Sequence, residues 1–246
     1  YGYKYNKATG VCYAYKHNPT IQKRTKITKN KLGGSGIKAE GTRNSLTAGS
    51  SHTLRGKNNN IFITGFNHEI SSDLSDGSVI GGRYGKITRQ SEVLIGGGGL
   101  ETSSVEGTEG TNQMSILQLA GSTTNATETN LSIQNDGESY ITVQANSLLA
   151  FECHVNALVT GGDDATAGHY RYEKIVGTVL INEDLDRTYN QTTTTVKSSG
   201  TVGGTATTLG NTGDDIAIAV VGTLNINIQW YASIILIENK LATVTF

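Results

Sequence analysis

Leu224-Asn-Ile-Asn-Ile-Gln-Trp-Tyr-Ala-Ser-Ile-Ile-Leu236 places an apolar or small residue at every second position for thirteen residues. A period of two over that length predicts an antiparallel β-strand with one face buried. The same parity recurs upstream, at Ile141, Val143 and Ala145 and then at Leu149, Phe151, Cys153, Val155, Ala157 and Val159. Shorter apolar runs fill 170–181 (Ile175, Val179 and Ile181 among them) and 215–221 (Ile216, Ile218, Val220). Clusters of Gly, Asn, Asp and Thr separate these segments, and no helical period competes with them, so residues 121–246 read as a jelly-roll-like β-sandwich. The parity also sorts the chemistry. Trp230 and Cys153 share the buried phase and are expected in the core, whereas His154 and Tyr231 have the opposite phase and point outward.

Residues 33–100 repeat instead of alternating. Gly34, Gly49, Gly65, Gly82 and Gly97 lie 15, 16, 17 and 15 residues apart, and Leu46, Phe62, Val79 and Leu94 precede the last four by three positions. Leu54, Ile70 and Ile87 follow the middle three by five. Each unit reads as a short strand, a glycine corner and a second short strand, the signature of a β-solenoid. Glycine suits the corners because the chain must take positive φ or pass close to its neighbour. A coil this small leaves apolar surface on its outside, which predicts lateral association of several chains.

Two stretches resemble known families. Asn67-His-Glu-Ile-Ser71, Ser78-Val-Ile-Gly-Gly82 and Glu92-Val-Leu-Ile-Gly-Gly-Gly98 look like the "N-x-I-S … S-V-I-G-G" coils of phage tail fibres. They also resemble the left-handed β-roll heads of trimeric autotransporter adhesins. Gly121-Ser-Thr-Thr-Asn-Ala-Thr-Glu-Thr-Asn-Leu131, Leu149-Ala-Phe-Glu-Cys-His-Val155, His169-Tyr-Arg-Tyr-Glu173 and Ile226-Asn-Ile-Gln-Trp-Tyr-Ala232 are similar, in that order, to four blocks of a C-terminal module of phage tail fibres and related virion appendages. The sequence departs from that module in lacking a Pro after Ala126-Thr127 and in carrying Gln229 where Arg is common. The resemblance implies a homotrimeric, non-enzymatic fibre or spike on the virion surface, with a distal head that engages a host-surface glycan or protein. Three rivals stay open: a purely structural capsid-decoration or spike component, a fragment of a bacterial trimeric adhesin, and a polysaccharide depolymerase.

Charge supports a division in series. Residues 1–100 carry 15 basic and 5 acidic residues, net +10, and residues 101–246 carry 5 basic and 16 acidic, net −11. Eight basic residues and no acid fall within the first 31. That segment is expected to dock on other virion proteins; no nucleic-acid motif of defined geometry accompanies it. The expected organisation is a basic attachment segment (1–32), β-roll repeats (33–100), a joint (101–120) and the sandwich (121–246). No run of eighteen apolar residues occurs, so no membrane span is expected. The chain begins at Tyr1 without a signal-like apolar run, which suggests a fragment or processed product. Tyr3 and Tyr5 alternate against Tyr13 and Tyr15 across Ala8-Thr-Gly10, as in a hairpin.

No catalytic motif is present: there is no HExxH, CxxC, Walker loop, GxSxG or GxGxxG. Gly96–Gly99 resembles a phosphate loop only in composition. His52 and His68 occupy equivalent repeat positions and would stack one coil apart, either as candidate metal ligands or as turn-compatible polar residues. The Asp163-Asp164 and Asp214-Asp215 pairs suit Asx turns better than calcium ligands or paired glycosidase acids. Among aromatic and imidazole groups, Tyr189 (expected in a loop), Tyr231 and His154 are the ligand-contacting candidates. No cofactor is expected.

Overall fold

The long period-two segments are strands, although in 141–145 only Ile141–Thr142 is one, and both halves of the units at Gly49, Gly65 and Gly82 are strands. The computed structural model describes residues 45–54, 56, 58–71, 81–98, 109–200, 202 and 208–241, with the backbone of the strands at 3–6, 11–14, 31–32, 38–39 and 78–80. In chain order the strands are β1 (Tyr3–Asn6), β2 (Val11–Ala14), β3 (Lys31–Leu32), β4 (Lys38–Ala39), β5 (Leu46–Thr47), β6 (Thr53–Leu54) and β7 (Phe62–Ile63). They continue as β8 (Glu69–Ile70), β9 (Ser78–Arg83), β10 (Lys86–Ile87), β11 (Val93–Gly97), β12 (Asn112–Thr123) and β13 (Glu128–Ile133). The rest are β14 (Ile141–Thr142), β15 (Ser147–Gly161), β16 (Tyr170–Ile181), β17 (Arg187–Ser199), β18 (Thr208–Thr212), β19 (Asp215–Val221) and β20 (Asn227–Lys240). There is no helix among the described residues. β1 and β2 pair antiparallel as a hairpin, Tyr5 opposite Cys12; the expected turn at 8–10 lies outside the described residues.

The repeats stack as parallel coils with two sheet faces. One face is β3-β5-β7-β9-β11 and the other β4-β6-β8-β10. Leu54, Ile70 and Ile87 point inward from the second face and meet Ile61, Ile63 and Leu94 in a thin, dry core. At the corners, Gly49, Gly65 and Gly82 take φ of +104°, +112° and +88°, and a Cβ on each would overlap the carbonyl oxygen of the glycine one coil on. For Gly82 that neighbour is Gly96, which corrects the repeat position expected at Gly97. The reason is a bulge. Leu94 pairs with Val79 but Ile95 pairs with Gly81, so Ile80 is an extra residue in β9, which lengthens that unit to 17 and shifts the next corner by one. The inward row on the first face is accordingly Thr47, Ile63 and Leu94, while Leu46 and Phe62 face outward.

The coils pass into the antiparallel part through a single sheet. β11 is parallel to β9 on one side and antiparallel to β12 on the other, and the order continues β12-β20-β15-β16-β17. The boundary expected at 120/121 thus falls inside β12, which pairs with β20 along its whole length, Asn112–Thr123 against Ile228–Asn239. A second layer of β13, β14, β18 and β19 covers one side of these long strands. The sandwich core between them includes Leu117, Leu131, Phe151, Ile175, Ile216 and Trp230. The Trp230 indole Nε1 donates to Thr123 Oγ1 (2.9 Å), which satisfies its one polar atom in the interior. Leu224 departs from the alternation: it lies ahead of β20, in a turn closed by the Thr223–Ile226 bridge, and is exposed.

Candidate functional site

Among the described residues the second layer covers only one side of the long sheet, and the outward-phase residues collect on the other, open side. Its half remote from the coils is polar and aromatic. Tyr231 (β20) is the register partner of Asn156 (β15), and Asn156 is the partner of Tyr172 (β16), so the three form one line across three strands. The adjacent line is Ser233, His154 and Lys174. His154 donates from Nε2 to Glu152 Oε1 (2.9 Å), and its Nδ1 faces the Tyr172 hydroxyl at 2.5 Å. Lys174 Nζ lies 2.8 Å from the same Glu152 oxygen. The hydrogen bond from Lys174, its charge and His154 together hold the Glu152 carboxyl below the usual range. The result is a solvated chain, Tyr172–His154–Glu152–Lys174, beside an exposed Tyr231 ring. It offers ring faces, amides and paired charges on a flat surface. Such an arrangement suits contact with a ligand more than bond-breaking chemistry, which needs groups held in a desolvated site.

The other expected site residues have structural employment. Tyr189 is in β17 and not in a loop: its ring packs against the sandwich core, and its hydroxyl donates to Asn211 Oδ1 (2.5 Å). Arg187 donates to the Gly213 and Asp214 carbonyls, and Gln191 bonds both the N–H and the C=O of Leu209. These three side chains replace the backbone ladder that β17 and β18 do not form and close the open edge of the sandwich. Gly213-Asp214 is the turn between β18 and β19, and Asp164 accepts from Asn225 Nδ2 (3.0 Å).

His52 and His68 are stacked one coil apart, with ring centroids at 5.2 Å and planes within 7°. They are buried, and the backbone engages every ring nitrogen. His52 Nε2 donates to Ala48 O (2.9 Å) and its Nδ1 accepts from the His68 N–H (3.3 Å). His68 Nε2 donates to Thr64 O (3.0 Å) and its Nδ1 accepts from the Gly85 N–H (3.0 Å). The pattern requires neutral rings protonated on Nε2, which leaves neither ring a lone pair for a metal and corrects that expectation. Burial drives the His68 pKa down to about 4, helped by the neighbouring His52; burial lowers that of His52 too. Among the described residues, no group of three or more His, Cys, Asp or Glu side chains is placed to hold a metal ion.

One cluster had no signature in the sequence. Where the last coil meets the long sheet, Arg89 is fully buried with Glu92 and Glu238. Its guanidinium donates to Glu92 Oε1 (2.9 Å), to both Glu238 oxygens (3.3–3.4 Å) and, from Nε, to Thr142 O (2.7 Å). Ser115 Oγ and the Thr88 and Arg89 N–H groups complete Glu92, and Gln113 and Gln144 complete Glu238. Burial acts to lower the Arg89 pKa, but the two carboxylates outweigh it and raise the value overall. The network therefore welds coil to head. It is sealed from solvent, so it is a structural lock and presents nothing to a ligand.

No family model and no curated protein matches the chain. Two solved structures overlay on it loosely. The tailspike protein of Acinetobacter baumannii phage AM24 is 7% identical with a TM-score of 0.29, over 88% of this chain and 50% of that one. The tailspike protein of Acinetobacter phage vB_ApiP_P1 is 8% identical with a TM-score of 0.24, over 87% of this chain and 49% of that one. The chain spans about half the length of each of these proteins.

Proposed function

We propose that this chain is a structural component of a bacteriophage fibre or spike, homotrimeric and carried on the virion surface. Its coils serve as a stalk, and the outward face of the sandwich engages a host-surface glycan or protein. The observation that carries the reading is the continuity of one sheet from stacked parallel coils into a two-layer head. It mounts His154, Tyr231 and Tyr172 on a rigid support, the His154 line roughly 7 Å and the Tyr231 line roughly 14 Å along β12 beyond its last residue paired with β11. The resemblance of the coils and of the four blocks in 121–238 to phage appendages supports the same reading. In it the chain is not an enzyme: Asp164 accepts locally from Asn225, the buried Glu92 and Glu238 are committed to Arg89, and the buried Glu173 pairs with Arg171. The basic segment 1–32 attaches the stalk to other virion proteins.

Purified protein added to host cells before infection is expected to bind them and to reduce phage adsorption. Tyr231→Ala combined with His154→Ala should lose that competition while keeping the fold. A wild-type protein that neither binds cells nor blocks adsorption would leave a purely structural component of the particle. Release of new reducing ends from host polysaccharide would establish the depolymerase instead.

A further inference from the structure

The half of the open face nearest the coils has a different character, and it does not stop at the head. A single register line runs from Leu46 through Phe62, Ser78, Val93, Ile116, Ile235 and Glu152 to Val176, crossing stalk and head on the same side of one sheet and apolar at six of its eight positions. The next line adds Ile95, Met114 and Ile237 and ends at Thr178, and the one after it adds Leu148 and Leu180; Ile237 and Leu180 are 58% and 56% exposed. Alternation accounts for the buried partners of these residues but not for apolar side chains in the outward phase, where water is the default neighbour. With strands ~4.8 Å apart and rows ~6.8 Å apart, the apolar positions on these lines cover roughly 400 Å² in projection, interrupted by Glu152, Thr178, Asn112 and Asn239. That is the scale of the largest patch on a typical monomer, about 300–600 Å² and often functional, and about half of the ~800 Å² per partner of a stable complex.

We infer that this apolar stripe is the surface by which copies of the chain pack against one another side by side. The inference deepens the homotrimer of the preceding reading by assigning its contact, and it rests on that reading only for the number of copies. A stripe that crosses both modules in register suits a copy lying parallel, coil against coil and head against head. A small partner docked on the head alone would leave the coil half uncovered. Self-contact around a symmetry axis also sets each charge near its own duplicate. Here the charged residue on the line, Glu152, is paired within its own chain to Lys174 at 2.8 Å. The tyrosine-rich half would remain open beside the contact.

The test is sedimentation velocity on the full chain at tens of micromolar. Wild type is expected as an oligomer. Ile237→Lys combined with Leu180→Lys, both at exposed positions, is expected as a monomer with an unchanged far-ultraviolet spectrum. A second measurement guards against a variant that misfolds: Ile237→Cys in a Cys12→Ser background should cross-link copy to copy on mild oxidation. A wild type that is monomeric, a folded double variant that stays fully oligomeric, or an oligomer that gives no Ile237→Cys cross-link would each overturn the assignment. The failures are separable. An oligomer that ignores host cells sinks the attachment reading alone, and a monomer that still blocks adsorption sinks only this contact.

Discussion

Replacing Arg89 with methionine should be among the most damaging single changes in the chain. Among the described residues, the guanidinium is the only cation within hydrogen-bonding distance of the Glu92 and Glu238 carboxylates. Removing it leaves two like charges buried side by side, and breaking a buried pair in this way costs about 3–5 kcal/mol. For a chain of this size that corresponds to a fall in Tm of roughly 6–20 °C. Calorimetry reads the shift, and hydrogen exchange should place the loosening in 86–97 and along β12, where the coil meets the head. The compensated variant decides the cause. Arg89→Met with Glu92→Gln and Glu238→Gln removes all three charges, while the amide oxygens still accept from the Arg89-position N–H and from Gln113. Most of the loss should return, to within about 1–2 kcal/mol of wild type, because neutral buried groups escape the desolvation penalty of charged ones. A single variant that costs under about 1 kcal/mol, or a triple variant no better than the single, would refute the argument that uncompensated charge dominates this joint.

The remaining predictions concern the coils and the core. His68, with its pKa depressed to about 4, binds its proton less readily when folded than when unfolded. Stability is therefore indifferent to this group above about pH 6.5, and it falls by about 1.4 kcal/mol per unit as the pH drops from there to about 4. His52 adds a loss of the same sign, and urea midpoints that stay flat over that window would contradict the ladder. Gly82→Ala must fit a Cβ at φ +88° against the Gly96 carbonyl, whereas Gly81→Ala meets nothing within 4 Å. The first should cost roughly 2–4 kcal/mol and the second under ~1, by denaturant unfolding. Burial pushes the Cys153 thiol up to about 12. In a Cys12→Ser background it should resist a thiol reagent at mildly alkaline pH and react at once in denaturant; rapid labelling of folded protein would mean the core opens there.

Alternation made β15 and β20 legible because each has one wet and one dry face, and the inward positions of the sandwich core follow from that phase. β17 was illegible for the complementary reason. Its inner side chains, Arg187, Tyr189 and Gln191, are polar groups that bond across to β18 and to the turn that follows it, so no apolar period marks it as a strand. The glycine spacing located the coils but missed the corner at Gly96, since a one-residue bulge at Ile80 is visible only once two strands lie side by side. His154 and Tyr231 were readable as outward-facing from their phase. That they share one surface with Tyr172 depends on the register of three strands, which no local pattern encodes.

The amino-acid order by itself determined the all-β class, the succession of short coils and long strands, and which side of β15 and β20 is dry, because side-chain direction repeats with backbone geometry. Only the tertiary structure decided what lies opposite what. It brought Arg89 to Glu238 across 149 positions, turned His52 and His68 from metal candidates into a backbone-bonded ladder, and aligned Leu46 with Ile116 and Val176 on one open face. These pairings follow from strand register and sheet order, which are set by packing between segments remote in the chain and carry no periodic signal within any one of them.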